Sequence, residues 1–327
     1  MWPYLAKIEL ANGAVQPFGT YGLLIVVAFS LAIAYVQWRA PKVGFHPDKL
    51  IGVYVAAFIG GMLGARVLYM IAVEPAATFR NPLNILSPTG GGFAFYGGLI
   101  GGGALVLSYA AQQGFNGWKL ADILMPAVIL GHGVGRLACF FAGCCHGVTA
   151  PHMSHGVPLL GEFSGGEIWL SSAFPYMATE FLHPDTVSRV TGIPLYPTQL
   201  WSVVIGTSLF AVLAYAWTKR RFDGQIAAIA LMTEPVTRVF VEAFRSDHRG
   251  YALTFPVNET LAGWLPGMAQ AGDSLANPVM GLTTSQFIGL AMVGVGIAIY
   301  ATRFNEGVDE EVEVSISEED ILENLAS

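Results

Sequence analysis

ADILMPAVILGHGVGRLACFFAGCCHG, residues 121–147, is apolar along most of its length, carries Arg136 inside it, and closes on Cys144, Cys145 and His146. About 20 consecutive apolar residues are enough to cross a bilayer core as a helix. Residues 121–143 satisfy that length, so the stretch reads as a membrane span with a permanent cation in its second half. A cation there needs a physical reason.

The rest of the chain expects the same solvent. Hydrophobic residues make up 54% and charged residues 12% of 327 positions, and the mean hydropathy is +0.54, which excludes an ordinary water-surrounded domain. The formal charge of −7 misleads. Glu306, Asp309, Glu310, Glu311, Glu313, Glu318, Glu319, Asp320 and Glu323 all follow Arg303 with no base among them, so the acidity belongs to the tail and the body is close to neutral. Nothing in that balance points to a nucleic-acid partner. Three cysteines are too few for a disulfide framework. The opening MWPYLAKIELANG lacks a basic-then-apolar leader pattern and is treated as mature sequence.

Apolar runs of spanning length fall at roughly 18–38, 50–73, 92–112, 121–143, 197–217, 224–245 and 284–302. Short connections (39–49, 113–120, 218–223) alternate with long ones (74–91, 144–196, 246–283). Arg39, Lys42, Lys49, Lys119, Lys219, Arg220, Arg221 and Arg303 lie on the short-connection side, against Lys7, Arg80, Arg189 and Arg249 on the other. The excess of bases assigns the short connections to the cytoplasm. The expectation is an all-α membrane protein of seven transmembrane helices, with its N-terminus outside and its C-terminus cytoplasmic. Residues 1–17 would form an interfacial arm with Trp2, Tyr4 and Leu5, and 18–303 the core. The outer loops 144–196 and 246–283 would form a small periplasmic head, able to admit an extended peptide. The acidic tail, 304–327, reads as solvated, with a possible short helix at SEEDILENLA; a partner site is the second reading.

Arg66, Arg136, Arg238 and Arg245 fall inside spans, at about 2.5–3.5 kcal/mol each near a helix centre on insertion scales. Internal pairing and snorkelling from helix ends are the bland readings, and for Arg66 they stand level with a functional one. Glu234, Arg238, Glu242 and Arg245 recur at helical spacing on one face, which favours a structural Glu234–Arg238 or Arg238–Glu242 pair. Arg245 and Arg136 are different. Both sit toward the outer ends of their spans without enough carboxylates to match them, and planar guanidiniums grip phosphate bidentately.

Glycine patterning is the second clue. Gly60/Gly64, Gly97/Gly101, Gly98/Gly102 and Gly131/Gly135 are pairs of the kind that let helices approach closely in lipid. The density of GGGFAFYGGLIGGG (90–103) weakens a helix and leaves two readings open: irregular backbone lining a cavity, or a flexible entrance to the third span.

Taken in chain order, Tyr21-Gly22-Leu23, GARVLY (64–69), GGFAFYGGLIGG (91–102), GRLACFFAGCCHG (135–147), PTQLW (197–201) and RVFVEAFRSD (238–247) resemble prolipoprotein diacylglyceryl transferase. The resemblance covers about 18–303. It implies a bacterial inner-membrane enzyme that moves diacylglycerol from phosphatidylglycerol onto the lipobox cysteine thiol of prolipoproteins and releases glycerol phosphate, with no cofactor. It also implies that Arg136 and Arg245 contact the lipid headgroup and are essential, and that Tyr21 is a headgroup contact. Arg66, Gly97, Gly98, Cys139, Gly147, Gln199, Arg238 and Glu242 complete the expected substrate-binding set.

The chain departs from the family pattern at several points. Tyr96 stands where a histidine proposed as thiol base is usual, and a tyrosine with a reference pKa of about 10 is a poor base at neutral pH unless cations lower it. Cys139 replaces an asparagine, Cys144-Cys145-His146 replaces a more polar run, and Tyr196 precedes Pro197-Thr198-Gln199 in place of a histidine. Tyr96 then becomes a hydrogen-bonding or relay group. His132, four residues before Arg136 on the same helical face, is a candidate base, against a plain buried histidine. Cys139, Cys144, Cys145 and His146 lack the paired spacing of a zinc site, so no metal is expected. Two other classes remain. A transporter would show repeated halves, and no second copy of GGLIGGG or of the arginine motif occurs. A non-catalytic phospholipid-binding paralogue would keep both arginines and lose the base.

Overall fold

A computed structural model describes residues 4–9, 15–72, 75, 92–150, 157–163, 166–170, 177–181, 192–246, 251–256, 269–270 and 279–306. Trp2, Gly90, Gly91, Arg80, Arg189, Arg249 and the tail beyond 306, including SEEDILENLA, lie outside the described residues. Among those described, seven helices occur: α1 (Thr20–Arg39), α2 (Ile51–Ala72), α3 (Phe95–Gln112), α4 (Gly117–Ala142), α5 (Thr198–Trp217), α6 (Gln225–Glu242) and α7 (Thr284–Arg303). Two 3₁₀ turns, Ala40–Val43 and Pro47–Leu50, join α1 to α2; each has proline in its first turn, where a missing N–H is harmless.

Five helices, counting the 3₁₀ turns as extensions of α1 and α2, are long and apolar enough to cross a membrane. Glycines 97, 98, 101, 102 and 103 dilute α3, and Glu234, Arg238 and Glu242 dilute α6. Large apolar side chains stand well exposed along the apolar helices, among them Val26, Phe58, Val204, Val212, Leu290 and Ile297. Apolar surface on that scale is what a lipid-facing helix presents.

The segments expected to be plain loops also contain strands. Strands β1 (Tyr4–Glu9) and β2 (Val15–Gly19) pair antiparallel before α1. A three-stranded antiparallel sheet of β3 (Val157–Phe163), β4 (Gly166–Leu170) and β5 (Met177–Phe181) follows α4. Between α6 and α7, β8 (Val279–Thr283) pairs with both β6 (Tyr251–Pro256) and β7 (Ala269–Gln270). Backbone polar groups leaving a helix must find partners, and here the ladders supply them.

The chain divides into two compact units. The first comprises Met1–Leu31, Val128–Val212 and Thr233–Leu290. Within it α4 and α5 approach closely at Gly133 and Gly206: a Cβ on Gly206 would lie 2.8 Å from Gly133 Cα. The Gly131/Gly135 pair read from sequence is not the contact used at that point, since a Cβ on Gly135 would meet Ile25 Cδ1 at an ordinary 3.7 Å. Helix α7 opens on a reciprocal capping box, in which Gln286 N–H donates to Thr283 Oγ1 and Thr283 N–H to Gln286 Oε1.

The second unit comprises Ala32–Ala127, Leu213–Met232 and Ala291–Ser327. Its centre is the α2–α3 seam. A Cβ on Gly60 would lie 2.5 Å from the Gly101 carbonyl oxygen, and one on Gly97 would strike the Gly64 carbonyl oxygen and come within 2.5 Å of Leu68 Cβ. From Phe95 onward the glycine-rich stretch is therefore regular helix, against the expectation of irregular or flexible backbone. Close packing of two glycine faces offsets the conformational entropy that glycine loses. Buried Asp122 on α4 accepts from the N–H groups of Gly224 and Ala227, capping the start of α6. Arg39 is held between the rings of Trp38 and Trp217, 4.2 and 4.4 Å from their centroids, and donates to the Ala214 carbonyl.

Candidate active site

The first unit builds the site from the end of α4. Gly143 N–H bonds the Phe140 carbonyl and Cys144 N–H the Cys139 carbonyl, with Gly143 left-handed at φ 67°. This is a Schellman ending, in which the residues equivalent to Cys139 and Cys144 come together. Cys145 continues at φ 58°, a left-handed conformation uncommon for a residue with a Cβ. Its carbonyl accepts from Thr198 Oγ1, and that of Cys144 accepts from Gln199 Nε2. All three sulfurs end within 4.8 Å of one another. Hydrogen bonds from the Cys139 and Cys144 thiols hold the Cys145 thiol well below its usual range, and Arg245 and Arg136 act in the same direction. Hydrogen bonding with Cys139 and then with Cys145, together with burial, pushes the Cys144 thiol upward.

Beyond the cysteines the chain is stitched to two other segments. Gly147 N–H bonds the Tyr196 carbonyl, Val148 N–H bonds the Phe244 carbonyl, and Gly147 forms an antiparallel bridge with Arg245. A Cβ at Gly147 would lie 2.5 Å from Tyr196 Cβ and 2.7 Å from the Phe244 carbonyl oxygen. Only glycine allows so close a backbone approach. His146 and Ser246 reinforce it, with Ser246 Oγ 3.0 Å from the His146 carbonyl and 3.1 Å from its Nδ1.

This arrangement corrects one reading. Helix α6 ends at Glu242, so Arg245 does not share a helical face with Glu234, Arg238 and Glu242; it sits in the bridge after the helix. The reason is tertiary: beyond Glu242 the chain is held by backbone bonds to the segment after α4, Val148 N–H to the Phe244 carbonyl and Ser246 N–H to the His146 carbonyl. Even so, His132 and Arg136 from α4, Glu234, Arg238 and Glu242 from α6, and Arg245 line one narrow cleft. The guanidine-bearing residues are buried, at 9%, 8% and 3% exposure for Arg136, Arg238 and Arg245. Arg136 Nε donates to His132 Nε2 at 3.2 Å. Glu242 takes a hydrogen bond from Ser285 Oγ at 3.1 Å, and its other oxygen lies 4.0 Å from Arg245 Nε. That second oxygen has no hydrogen-bond donor among the described residues. Tyr21, on the first turn of α1 and 46% exposed, is within electrostatic reach of Arg136 and the three cysteines.

Several members of the expected set thus meet in this unit: Tyr21, His132, Arg136, Cys139, Gly147, Gln199, Arg238, Glu242 and Arg245. Arg66, Tyr96, Gly97 and Gly98 belong to the other unit. There Arg66 is buried and donates to the Gly92 carbonyl at 3.3 Å, holding the lead-in to α3. Tyr96 is 2% exposed in the first turn of α3, edge-on to Phe95. Gly97 serves the helix seam directly. Tyr196 packs on Phe244 and Trp201 at 5.4 and 6.0 Å, and burial raises the pKa of its hydroxyl. Sequence reasoning gave no role to Ser246, although it stands within the quoted RVFVEAFRSD stretch, or to Ser285; their partners His146 and Glu242 come from distant parts of the chain.

A buried cleft in which the guanidiniums of Arg136, Arg238 and Arg245 outnumber the two carboxylates of Glu234 and Glu242 suits a phosphate or phosphodiester. The comparisons agree with that chemistry. The prolipoprotein diacylglyceryl transferase family profile matches residues 13–302. A phosphatidylglycerol–prolipoprotein diacylglyceryl transferase of Clostridium tetani is 28% identical over 280 residues, 86% of this chain and 91% of the relative. A second, numbered 2, from Clostridium perfringens is 29% identical over 231 residues, 71% and 80% of the two chains. Another, from Paraburkholderia phytofirmans, is 26% identical over 292 residues, 86% and 89%. With the profile running from before α1 almost to the end of α7, this multi-pass chain belongs to the prolipoprotein diacylglyceryl transferase family.

Proposed function

We propose that the chain transfers the diacylglyceryl group of phosphatidylglycerol to the lipobox cysteine thiol of prolipoproteins, forming a thioether and releasing glycerol phosphate, in the bacterial inner membrane. The observation that carries this reading is the convergence of Arg136 and Arg245 on one buried cleft. The acceptor thiol loses its proton, the sulfur attacks the glyceryl carbon that bears the phosphate ester, and the carbon–oxygen bond breaks with its electron pair leaving on the phosphate. Arg136 and Arg245 hold that phosphate before reaction and stabilise the added charge as it leaves, in a site that excludes most water.

His132 serves as a positioning residue. Its Nε2 lone pair already accepts from Arg136, so it is not offered to a thiol. The Glu242 oxygen that lacks a donor is the better proton acceptor in the cleft. Tyr21 touches the headgroup, and Tyr96 acts through its hydroxyl as a hydrogen-bonding or relay group. Seven spans, with the basic short connections in the cytoplasm, place the three small sheets on the outer face, where the signal peptide arrives.

Transfer of radiolabelled lipid from phosphatidylglycerol micelles to a lipobox peptide by the purified chain tests the reading. Labelled thioether is the expected product. Binding of phosphatidylglycerol with no transfer to any thiol peptide would replace it with a non-catalytic lipid-binding role.

A further inference from the structure

We propose that Cys139, Cys144 and Cys145 form a binding site for one thiophilic metal ion, Zn(II) or Cu(I), held by three thiolates. The chain contains only three cysteines, and all three bring their sulfurs within 4.8 Å of one another. Thiolates around a zinc ion at about 2.3 Å lie just under about 4 Å apart, so modest side-chain rotation closes the cluster.

The helix ending alone does not account for this. A Schellman cap brings Cys139 beside Cys144 and asks nothing of the next residue. Cys145 joins them because it takes a left-handed backbone conformation, φ 58°, a geometry that costs free energy for a side chain with a Cβ and persists only where the surroundings impose it. Hydrogen bonds from the first turn of α5 to the carbonyls of Cys144 and Cys145 impose it here. The ligand set is therefore preorganised.

Three soft sulfur ligands select Zn(II) or Cu(I) over hard cations such as Mg(II) or Ca(II). Arg136 and Arg245, both within electrostatic reach of Cys145, offset the surplus negative charge of three thiolates. His146 is not part of the cluster. Its Nδ1 is taken up by Ser246 Oγ and the Gly147 carbonyl, leaving a fourth coordination position open. All three bind as thiolates, so binding releases the protons that the cluster still holds.

The test uses the full chain, purified anaerobically in detergent with a phosphine reductant and freed of metal. Titration with Zn(II) against a colorimetric chelator should show one ion held per chain, and Co(II) should produce a thiolate-to-cobalt charge-transfer band in the near ultraviolet. Cys139→Ser, Cys144→Ser and Cys145→Ser should each lower Zn(II) affinity at least tenfold and remove that band, while eluting as monodisperse species. Absence of stoichiometric Zn(II) in the reduced, monodisperse wild-type chain would overturn the proposal. So would undiminished Zn(II) binding by the triple serine variant, which would put the ion elsewhere. Neither readout depends on lipid transfer, so the outcome stands apart from the proposed activity.

Discussion

Arg136 Nε–H donates to His132 Nε2 across one helical turn at 3.2 Å. Guanidinium nitrogens carry hydrogens and accept nothing, so this bond requires the lone pair of Nε2 and puts the imidazole proton on Nδ1, with the ring neutral. A residue that invites assignment as a base is thereby occupied in aiming a cation.

If His132 aims Arg136, an acceptor at that position should be enough. His132→Gln, whose side-chain oxygen can take the same bond, should retain most transfer activity across neutral pH. His132→Leu should lose about tenfold to a hundredfold, the equivalent of about 1.5–3 kcal/mol for a hydrogen bond to a charged group. Steady-state transfer to a lipobox peptide between pH 6 and 9 checks this. A glutamine variant as damaged as the leucine variant, and recovering as rising pH ionises the acceptor thiol, would return His132 to the role of base.

The arginine pair should behave as electrostatic machinery. Arg136→Gln and Arg245→Gln should each lower turnover by about 10²–10³, the scale seen when one preorganised charge-stabilising donor is removed. Lysine at either position should rescue poorly, because it lacks the planar fork. Near-normal turnover in either glutamine variant, with the protein folded in detergent, would remove that residue from the mechanism.

Gly147 contributes through the backbone. Gly147→Ala would place a methyl 2.5 Å from Tyr196 Cβ and 2.7 Å from the Phe244 carbonyl oxygen, an overpacking cost of about 1–3 kcal/mol. Because that contact seats Arg245, the variant should lose turnover along with some thermal stability. A thermal unfolding curve and a transfer assay on one preparation test this together. Unchanged values in both would mean that the 147–245 bridge is dispensable.

Tyr96 is tested through its hydroxyl. Tyr96→Phe should slow transfer about twofold to tenfold by removing one hydrogen bond of about 0.5–1.5 kcal/mol net, whereas Tyr96→His should preserve activity. Equal rates in wild type and Tyr96→Phe would reduce Tyr96 to a packing residue on α3.

Glu242 carries the carboxylate oxygen proposed as proton acceptor. Glu242→Gln keeps the bond from Ser285 but removes the basic oxygen, so transfer should fall at neutral pH and recover in part toward the acceptor thiol's reference pKa of about 8.5. A flat pH profile in that variant would exclude Glu242 as the proton acceptor.

What the sequence determines by itself is whatever depends on residues close together in the chain. An apolar run is a local property of the chain, so the seven described helices fall close to where hydropathy places them, with α6 stopping early at Glu242, and Arg136 and His132 share a face because four residues make about one turn. Motif order was equally legible, which is why the family was recognisable from six short segments. Tertiary structure alone decided the rest. Arg245 leaves its helix because Gly147 and Phe244 meet backbone to backbone across the chain, and although the spacing of Gly60/Gly64 and Gly97/Gly101 already marks two faces able to approach closely, only the tertiary structure decides that these two faces pack on each other. Cysteines spaced against a zinc motif converge because Cys145 is forced left-handed by α5. None of these is written in spacing, since each depends on which distant backbone arrives to supply the missing partner.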